Sequence, residues 1–483
     1  MTGLTSIGTY VPRLRLPRKT ILDAQGKSSG AAKGERAICN WDEDSLTMAV
    51  EAARACLAGT DGPLAGLSLA STSLPFEERQ NATIVATALN LPEDMRTSDM
   101  GGTQRAGTSA LIAAIDAIEV GGQDRLVVAS DHRQTKSAAP QELRFGDGAS
   151  AVCVGADAGL AEVLATHTLS VDFIDHYRGQ GQQFDYYWEE RWIRDEGYLK
   201  LIPQALTAAL EKAGIAPDKV AHSILPQAVP KTAEAICKRV GLNPDSIADG
   251  LLDRVGDTGT AHPFMMLAGV LEKAEPGQVI ALVSFGQGCD VIILRVTPLI
   301  AEKRSEGWLT EGLARRAEMG NYNKYLSFNG LIEKDEGMRA EVDYQSAMTQ
   351  IYRRRDMLLG MVGGKCPDCD TPQFPRSRVC VNPGCASFAE QTPYPFADKI
   401  ANVVSWSADH LTYTLDPPAR YGLIQFQGGG RMFANFTDVA GPEVNVGTAM
   451  RMVFRIKEFD PKRGFRRYFW KATPQTAHTG EGA

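Results

Sequence analysis

Residues 366–385 read CPDCDTPQFPRSRVCVNPGC, and the spacing of their four cysteines decides the fold of this part of the chain. Cys366 and Cys369 are separated by two residues, so that both thiolates can reach one ion, and Cys380 and Cys385 form a second pair. Zinc binds four soft ligands in a tetrahedron. The pattern predicts a zinc ribbon with a structural ion, because four thiolates leave no open coordination position. A redox pair or chance clustering is the alternative, which two pairs within one short stretch disfavour.

Short alternating apolar segments follow the cysteines. They are typical of β-strands separated by turns, and the glycines at 428–430 mark one of these turns. Segments of this kind predict a small β-barrel. We expect its strands near residues 402–407, 421–425, 431–436, 450–456 and 466–470.

The stretch 350–475 resembles the DUF35-type zinc ribbon and OB-fold that accompanies thiolase-superfamily enzymes. The resemblance rests on GGKCPDCDTPQFPRSRVCVNPGC at 363–385 and on the short strands that follow. It implies a module that completes or organises a neighbouring acyl-CoA site. OB-folds often bind nucleic acid, but a net charge of -7 disfavours that partner here.

Residues 1–298 alternate apolar runs of strand length with amphipathic, alanine-rich helical stretches. This alternation predicts an α/β fold with buried, largely parallel sheets. The two halves of the region are similar in layout, which indicates an internal duplication. The helices are expected near 46–57, 108–119, 202–213, 233–240 and 264–274, and the strands near 67–71, 125–130, 149–154, 223–225, 279–284 and 291–296.

The character of the sequence changes at several points, which predicts the domain boundaries. After the α/β domain at 1–298 the chain becomes charged and helical in pattern. We interpret the arginines at 353–355 as part of a solvated helix face rather than as a nucleic-acid patch. The predicted order is the α/β domain, a helical connector at 299–358, the zinc ribbon at 359–388, the OB-fold at 389–475 and a flexible tail at 476–483.

The overall composition narrows the class of protein. Among the 483 residues, no apolar run approaches the roughly 18 residues that a membrane-spanning helix requires. The start of the chain shows no apolar segment of a signal peptide. We therefore expect a cytoplasmic protein that binds neither membranes nor nucleic acid.

Three motifs in the first 298 residues carry a second resemblance. They are SDMGGTQRAGT at 98–108, FGDGA at 145–149, and GDTGTAH at 256–262 with VSFGQG at 283–288 after it. Their order and spacing resemble the 3-hydroxy-3-methylglutaryl-CoA synthase branch of the thiolase superfamily, and FGDGA also resembles the ketoacyl synthase III branch. The resemblance implies a duplicated five-layer α/β/α/β/α core, usually dimeric, that binds CoA thioesters.

The positions of the family's catalytic residues hold other residues in this chain. Matching TQRAGT to the family pattern ACKAGT places Gln104 at the nucleophilic cysteine, and an amide cannot form a thioester. Thr72 stands at the family glutamate and Pro226 at the family histidine, whereas Lys231 is retained from the same stretch. Asp257 stands at the family asparagine.

The remaining residues suggest how a reaction without the cysteine would work. We expect Gln104 and nearby backbone N–H groups to hold a carbonyl oxygen. His262 is the candidate base or acid, because histidine most often fills that role at neutral pH; its alternative is a histidine packed at a helix start. Asp257 would orient a base or merely cap a turn, and Lys231 would bind a CoA phosphate or be a solvated lysine.

Other residues remain as secondary candidates. His132 follows a predicted strand, and the aromatic residues at 186–188 would line a pocket for an aromatic acyl group or pack in a core or dimer contact. Cys289 is the one scattered cysteine that would replace the missing thiol.

The predicted function is CoA-dependent acyl transfer, or C–C bond cleavage or formation, on a β-keto or β-hydroxy acyl substrate without a cysteine acyl-enzyme. The alternative is a non-catalytic scaffold that binds acyl-CoA and recruits an active thiolase. The predicted cofactors are a structural zinc ion and CoA, the latter as substrate or co-substrate. The predicted assembly is a homodimer, with a thiolase as a possible partner.

Overall fold

The structure is a computed structural model, which describes residues 1–27, 33–60, 62–305, 307–439 and 444–475. The predicted tail at 476–483 lies outside these ranges. The chain divides into two compact units. The first comprises Met1–Asn40, Asp44–Val85 and Asp94–Leu331, and the second comprises Trp41–Glu43, Ala86–Glu93 and the chain from Ile332.

Strands and helices alternate over most of the first unit. Among the described residues its strands are β1 (Gly3–Tyr10), β2 (Leu14–Pro17), β3 (Glu35–Ile38), β4 (Gly66–Ala70), β5 (Arg96–Met100), β6 (Arg125–Asp131), β7 (Gly148–Gly155), β8 (Ala161–Ser170), β9 (His176–Tyr177), β10 (Tyr186–Tyr187), β11 (Val220–Ile224), β12 (Val279–Phe285), β13 (Gly288–Val296) and β14 (Ala317–Glu318).

The helices of the described chain are mostly short. They are α1 (Arg18–Ala24), α2 (Ser45–Leu57), α3 (Asn81–Ala88), α4 (Ala106–Glu119), α5 (Glu190–Trp192), α6 (Leu199–Ala213), α7 (Thr232–Val240), α8 (His262–Leu271), α9 (Ile300–Lys303), α10 (Thr310–Ala314), α11 (Tyr322–Phe328), α12 (Met348–Arg353) and α13 (Arg355–Leu358). Single 3₁₀ turns lie at Pro140–Leu143, Pro217–Lys219, Pro244–Ser246, Gly259–Ala261 and Met338–Ala340, and a π-helical turn lies at Ile193–Tyr198.

One large mixed sheet organises the first unit. Its order is β11–β12–β13–β8–β1–β7–β6–β4–β5. The pairs β4–β5, β4–β6 and β11–β12 are parallel, and the remaining neighbours in this sheet are antiparallel. The prediction of largely parallel sheets was therefore wrong. Strands that follow one another without a crossover helix, such as β12 and β13, pair antiparallel because a tight turn can join them only that way.

The sheet contains two similar halves, as the sequence indicated. In one half β4, β5 and β6 are followed by the antiparallel β7 and β1, and in the other β11 and β12 are followed by the antiparallel β13 and β8. Each half contributes one helix, α4 or α8, to a shared buried cluster. Nearly every residue of α8 is buried, which explains why its sequence is apolar on all sides.

The predicted connector at 299–358 is divided between the two units. The first unit runs to Leu331, because Tyr325 and Leu326 of α11 pack in a small apolar cluster with Leu16 and Ile38 of β2 and β3. The short strand β14 also pairs with β2.

The second unit contains two small sheets among its described residues. Their strands are β15 (Val362–Lys365), β16 (Pro372–Gln373), β17 (Thr392–Pro395), β18 (Ala401–Asp409), β19 (Ala419–Phe426), β20 (Arg431–Asn435), β21 (Ala449–Asp460) and β22 (Phe465–Pro474). The order β16–β15–β17 forms one sheet, and β20–β19–β18–β21–β22 forms the other, which is antiparallel. The five strands predicted after the cysteines are the five strands of the second sheet.

A buried ionic cluster lies in the core of the second unit. Arg455 is fully buried, and its guanidinium lies 3.0 Å from Glu43 and 2.9 Å from Asp438. Lys471 Nζ lies 2.8 Å from Asp42 Oδ2. Because an unpaired buried charge is very costly, the acidic segment 41–43 neutralises both cations of this core.

The described helices include none with the length and apolar character required to cross a bilayer.

Candidate functional site

Gln104 lies in the loop between β5 and α4, two residues before the helix begins. The turn between β12 and β13 packs closely against this loop. Thr103 Oγ1 donates a hydrogen bond to the Gly286 carbonyl at 2.7 Å. A Cβ atom on Gly286 would lie only 2.5 Å from Thr103 Oγ1 and 3.1 Å from the Gln104 nitrogen. Only glycine therefore fits at this contact, which fixes the position of the Gln104 backbone.

Two cavities of the first unit meet at Gln104. The outer cavity has a volume of about 430 Å³ and is lined by Thr72, His176 and Arg178 among others. The inner cavity has a volume of about 40 Å³ and is lined by Asp257 and His262. Gln104 lines both. The structure thus brings together the three residues that the sequence predicted as catalytic.

Three N–H donors surround one end of the Gln104 amide. Arg133 Nη1 lies 2.9 Å from it, Arg133 Nη2 2.7 Å and His176 Nε2 3.0 Å. An end that faces only donors must be the carbonyl oxygen, so this network assigns the orientation of the amide. The Gln104 oxygen is therefore occupied, and its NH₂ group is the end available to a ligand.

Arg133 is also held by contacts to other side chains. Its Nη2 lies 2.7 Å from Asp185 Oδ2 and donates to the Tyr187 hydroxyl at 2.7 Å. Its guanidinium lies 3.8 Å from the centre of the Phe145 ring. Burial alone would lower the pKa of Arg133, but Tyr187 and Asp185 raise it above the usual value. Arg133 is therefore a fixed cation inside the protein.

His176 is oriented by two neighbours on the same hairpin. Its Nδ1 lies 3.1 Å from Asp175 Oδ1. Its ring stacks on Tyr187 with the centroids 4.9 Å apart and the planes 12° from parallel. Burial raises the pKa of Tyr187 to about 12, so its hydroxyl is neutral near pH 7.

His262 is a buried, neutral histidine at the start of α8. Its Nδ1 lies 3.3 Å from the Thr258 backbone nitrogen, which is a donor, so Nδ1 is the acceptor of the ring. Burial holds the pKa of His262 below its usual value. The ring proton is therefore on Nε2.

Asp257 contributes a carboxylate beside His262. Its Oδ1 accepts a hydrogen bond from the Gly259 backbone nitrogen at 2.9 Å. This contact is the turn cap that the sequence left open as an alternative, and the same side chain also lines the inner cavity.

The structure places several other candidates away from these two cavities. Lys231 is exposed at the N-terminal end of α7, and neither Lys231 nor His132 lines either cavity. Cys289 is fully buried in the apolar cluster around α6, and burial raises its pKa well above the usual value. None of the nine cysteines lines either cavity.

The sequence missed Arg133, His176 and Asp185. Arg133 had a visible signal, because it follows β6 directly in SDHR and strand ends often supply site residues. His176 and Asp185 had no such signal in the sequence. The hairpin of β9 and β10 brings His176 to Gln104 and Asp185 to Arg133. Of the predicted aromatic cluster, Tyr187 is in the site, whereas Tyr186 and Trp188 are more than half exposed.

The four clustered cysteines of the second unit have the geometry of a zinc site. Their sulfur atoms all lie within 4.8 Å of one another. The Cys366 and Cys385 sulfurs are 3.9 Å apart, and the Cys369 and Cys380 sulfurs are 3.5 Å apart. Four thiolates at about 2.3 Å from one tetrahedral zinc would be separated by about 3.8 Å. The residues therefore fit a structural zinc ion.

Comparison with known proteins agrees with the architecture. Residues 210–295 match the family model described as 3-oxoacyl-[acyl-carrier-protein (ACP)] synthase III C terminal, and residues 394–455 match the ChsH2, C-terminal OB-fold domain. The hydroxymethylglutaryl-CoA synthase of Methanobrevibacter smithii is 29% identical over 349 residues, which cover 69% of this chain and 100% of the relative. That of Methanothermobacter thermautotrophicus is 28% identical over 344 residues, covering 69% and 99%.

Solved structures give the same result. A crystal structure of HMG-CoA synthase complexed with CoA superposes with a TM-score of 0.62 at 20% identity, covering 72% of this chain and 94% of the other. The chain therefore contains a domain with a thiolase-like fold. The 3-oxoacyl-(acyl carrier protein) synthase III of Pseudomonas aeruginosa PAO1 superposes with a TM-score of 0.56 at 20% identity, covering 62% and 98%.

The predicted fold class is confirmed. The fold of the first unit is similar to those of HMG-CoA synthase and 3-oxoacyl-(acyl carrier protein) synthase III, and a segment that matches an OB-fold model follows it in the chain. Within this domain, Gln104 of TQRAGT lies at the junction of the two cavities.

Proposed function

We propose that this chain is a thiolase-superfamily enzyme that forms or cleaves a C–C bond, or transfers an acyl group, on a β-keto or β-hydroxy acyl-CoA without a cysteine acyl-enzyme. The coarse part of this proposal, CoA-dependent acyl chemistry, is supported by relatives named hydroxymethylglutaryl-CoA synthase and by a similar structure with bound CoA. The observation that carries the finer part is the meeting of Gln104 and His262 at one cavity that no cysteine lines.

The inner cavity suits the oxygen of a thioester carbonyl. Its volume of about 40 Å³ admits one small group. Gln104 and His262 both line it, and the Gln104 NH₂ and the His262 Nε2–H are the donors that we propose for that oxygen. Donors fixed around a carbonyl oxygen stabilise the negative charge that develops there when the thioester becomes an enolate.

The electron balance requires no covalent intermediate on the protein. In cleavage of a β-hydroxyacyl thioester, the β-hydroxyl loses its proton and its oxygen forms a carbonyl with the β-carbon, which leaves as an aldehyde or ketone. The bond between the α- and β-carbons breaks, and its electron pair forms the enolate of the acyl-CoA. A proton then returns to the enolate carbon. Asp257, the carboxylate beside His262, is the proposed proton acceptor, and His262 donates the hydrogen bond to the enolate oxygen.

The remaining parts of the proposal concern partners and cofactors. Several points stay predictions. They are a structural zinc ion in the four-cysteine cluster, a CoA thioester as substrate, a homodimer, a cytoplasmic location and a CoA phosphate contact at Lys231. A partner thiolase belongs to the scaffold alternative.

A turnover assay tests the proposal directly. Purified protein is incubated with acetoacetyl-CoA plus CoA, with 3-hydroxy-3-methylglutaryl-CoA and with longer-chain thioesters of both kinds, and the products are followed by mass spectrometry. We expect turnover of one class by this chain alone. His262→Gln should lower kcat about a hundredfold, whereas His222→Gln, a histidine outside both cavities, should leave it unchanged.

Two outcomes would overturn the assignment. A chain that is inert alone but active with a co-purified thiolase would be the scaffold of the alternative. Equal rates for His262→Gln and the wild type would remove His262 from the mechanism.

A further inference from the structure

Arg133 and His176 form an unusually strong set of donors around a neutral amide oxygen. We propose that they are positioning residues that act through Gln104, and that they convert its NH₂ into an oriented and polarised oxyanion donor. We call this arrangement of Arg133 and His176 around the Gln104 oxygen the amide clamp. The inference rests on the proposed function, because it assigns a purpose to the clamp only if Gln104 binds the reacting oxygen.

The clamp orients the Gln104 amide. A glutamine amide has two ends of nearly the same size, and a free side chain would present either end to a ligand. Contacts of 2.9, 2.7 and 3.0 Å to one end select the oxygen for that side. The NH₂ must then point away from Arg133 and His176. Preorganised donors are effective because no reorganisation is needed when charge develops.

The clamp also polarises the Gln104 amide. Hydrogen bonds from ionised donors are roughly twice as strong as bonds between neutral groups, and hydrogen bonds in series strengthen one another in a buried site. Arg133 is a fixed cation with two contacts to the amide oxygen. Electron density drawn toward that oxygen makes the N–H groups of the same amide stronger donors.

A carboxylate lies beside each donor of the clamp. His176 Nε2 faces the Gln104 oxygen at 3.0 Å, and its Nδ1 lies 3.1 Å from the Asp175 carboxylate. Arg133 Nη2 lies 2.7 Å from the Asp185 carboxylate. Each donor is therefore positioned by an acidic side chain as well as by the Gln104 oxygen.

One hairpin, formed by β9 and β10, builds most of the clamp. His176 belongs to β9 and Tyr187 to β10, and Tyr187 both stacks on His176 and accepts from Arg133. Asp185 lies just before β10 and contacts Arg133 and Arg178. A buried polar group needs at least one hydrogen-bonding partner. The residues of this hairpin make more contacts with one another and with Arg133 than that requirement explains.

A double-mutant cycle tests the inference on the full-length protein. His176→Ala should lower kcat about tenfold, because one hydrogen bond to Gln104 is lost. In a Gln104→Ala background the same substitution should change kcat by less than about twofold, since no amide remains to be polarised. His176→Gln, which keeps a donor at the same end of the side chain, should recover most of the activity.

Asp175→Asn provides a second variant in case His176→Ala does not fold. It should lower kcat in the wild-type background and have no effect beside Gln104→Ala. Equal losses in both backgrounds, for either variant, would overturn the inference, because the hairpin would then act independently of Gln104. If Gln104→Ala itself leaves kcat unchanged, the proposed function fails instead, so the two failures are distinguishable.

Discussion

Replacing Gln104 by alanine should lower kcat for the acyl-CoA substrate about a hundredfold, the usual loss when one oxyanion donor is removed. The substitution deletes the NH₂ that lines the inner cavity and leaves the backbone loop in place. The melting temperature should change little, because the side chain lies between two cavities rather than in the apolar core. Steady-state kinetics and thermal unfolding of the same preparation would separate the two effects.

Gln104→Glu is the matched variant for this prediction. A glutamate has the same shape, and one carboxylate oxygen would accept from Arg133 and His176 as the amide oxygen does. The other oxygen would face the inner cavity with no hydrogen to donate, and its charge would oppose a developing enolate. The variant should fold as the wild type does and lose at least as much activity as Gln104→Ala. Wild-type turnover by Gln104→Glu would show that the NH₂ has no role.

Removing zinc should unfold the ribbon of the second unit. Its strands β15, β16 and β17 form a sheet of only a few residues, and such a sheet has too little apolar burial to be stable alone. Structural zinc in small domains contributes about 10–16 kcal/mol of binding free energy to folding. Metal analysis should give one zinc ion per chain, and a strong chelator should abolish a calorimetric transition that added zinc restores.

Cys380→Ser is the variant for the zinc prediction, and Cys237→Ala is its control. Cys380 belongs to the four-sulfur cluster, whereas Cys237 lies in the apolar cluster around α6. We expect loss of zinc only in the first variant. Metal-free protein with an intact ribbon, or full zinc occupancy in Cys380→Ser, would contradict the assignment.

The sequence was sufficient where the chemistry depends on residues close together in the chain. Cys366 and Cys369 are separated by only two residues, and their sulfurs belong to one cluster because a short turn has few conformations. Gln104 and His262 were found because each lies in a short motif with a known place in a fold, and the structure brings both to one cavity.

The sequence was not sufficient where the contact depends on pairing between distant strands. Arg133 and His176 meet at Gln104 because the hairpin of β9 and β10 folds over the start of α4. No periodicity in the sequence encodes that contact. The mixed sheet was missed for a similar reason, since β1 and β8 pair through only two positions and join the two halves.

The central claim is that the chemistry proceeds without an acyl group on the protein. The most direct test is to mix the chain with its acyl-CoA substrate, quench in acid during turnover and measure the intact mass. The account predicts the unmodified mass, because Gln104 cannot form a thioester and Cys289 is buried away from both cavities. A chain heavier by one acyl group, held in a hydroxylamine-sensitive bond to Cys289, would contradict it.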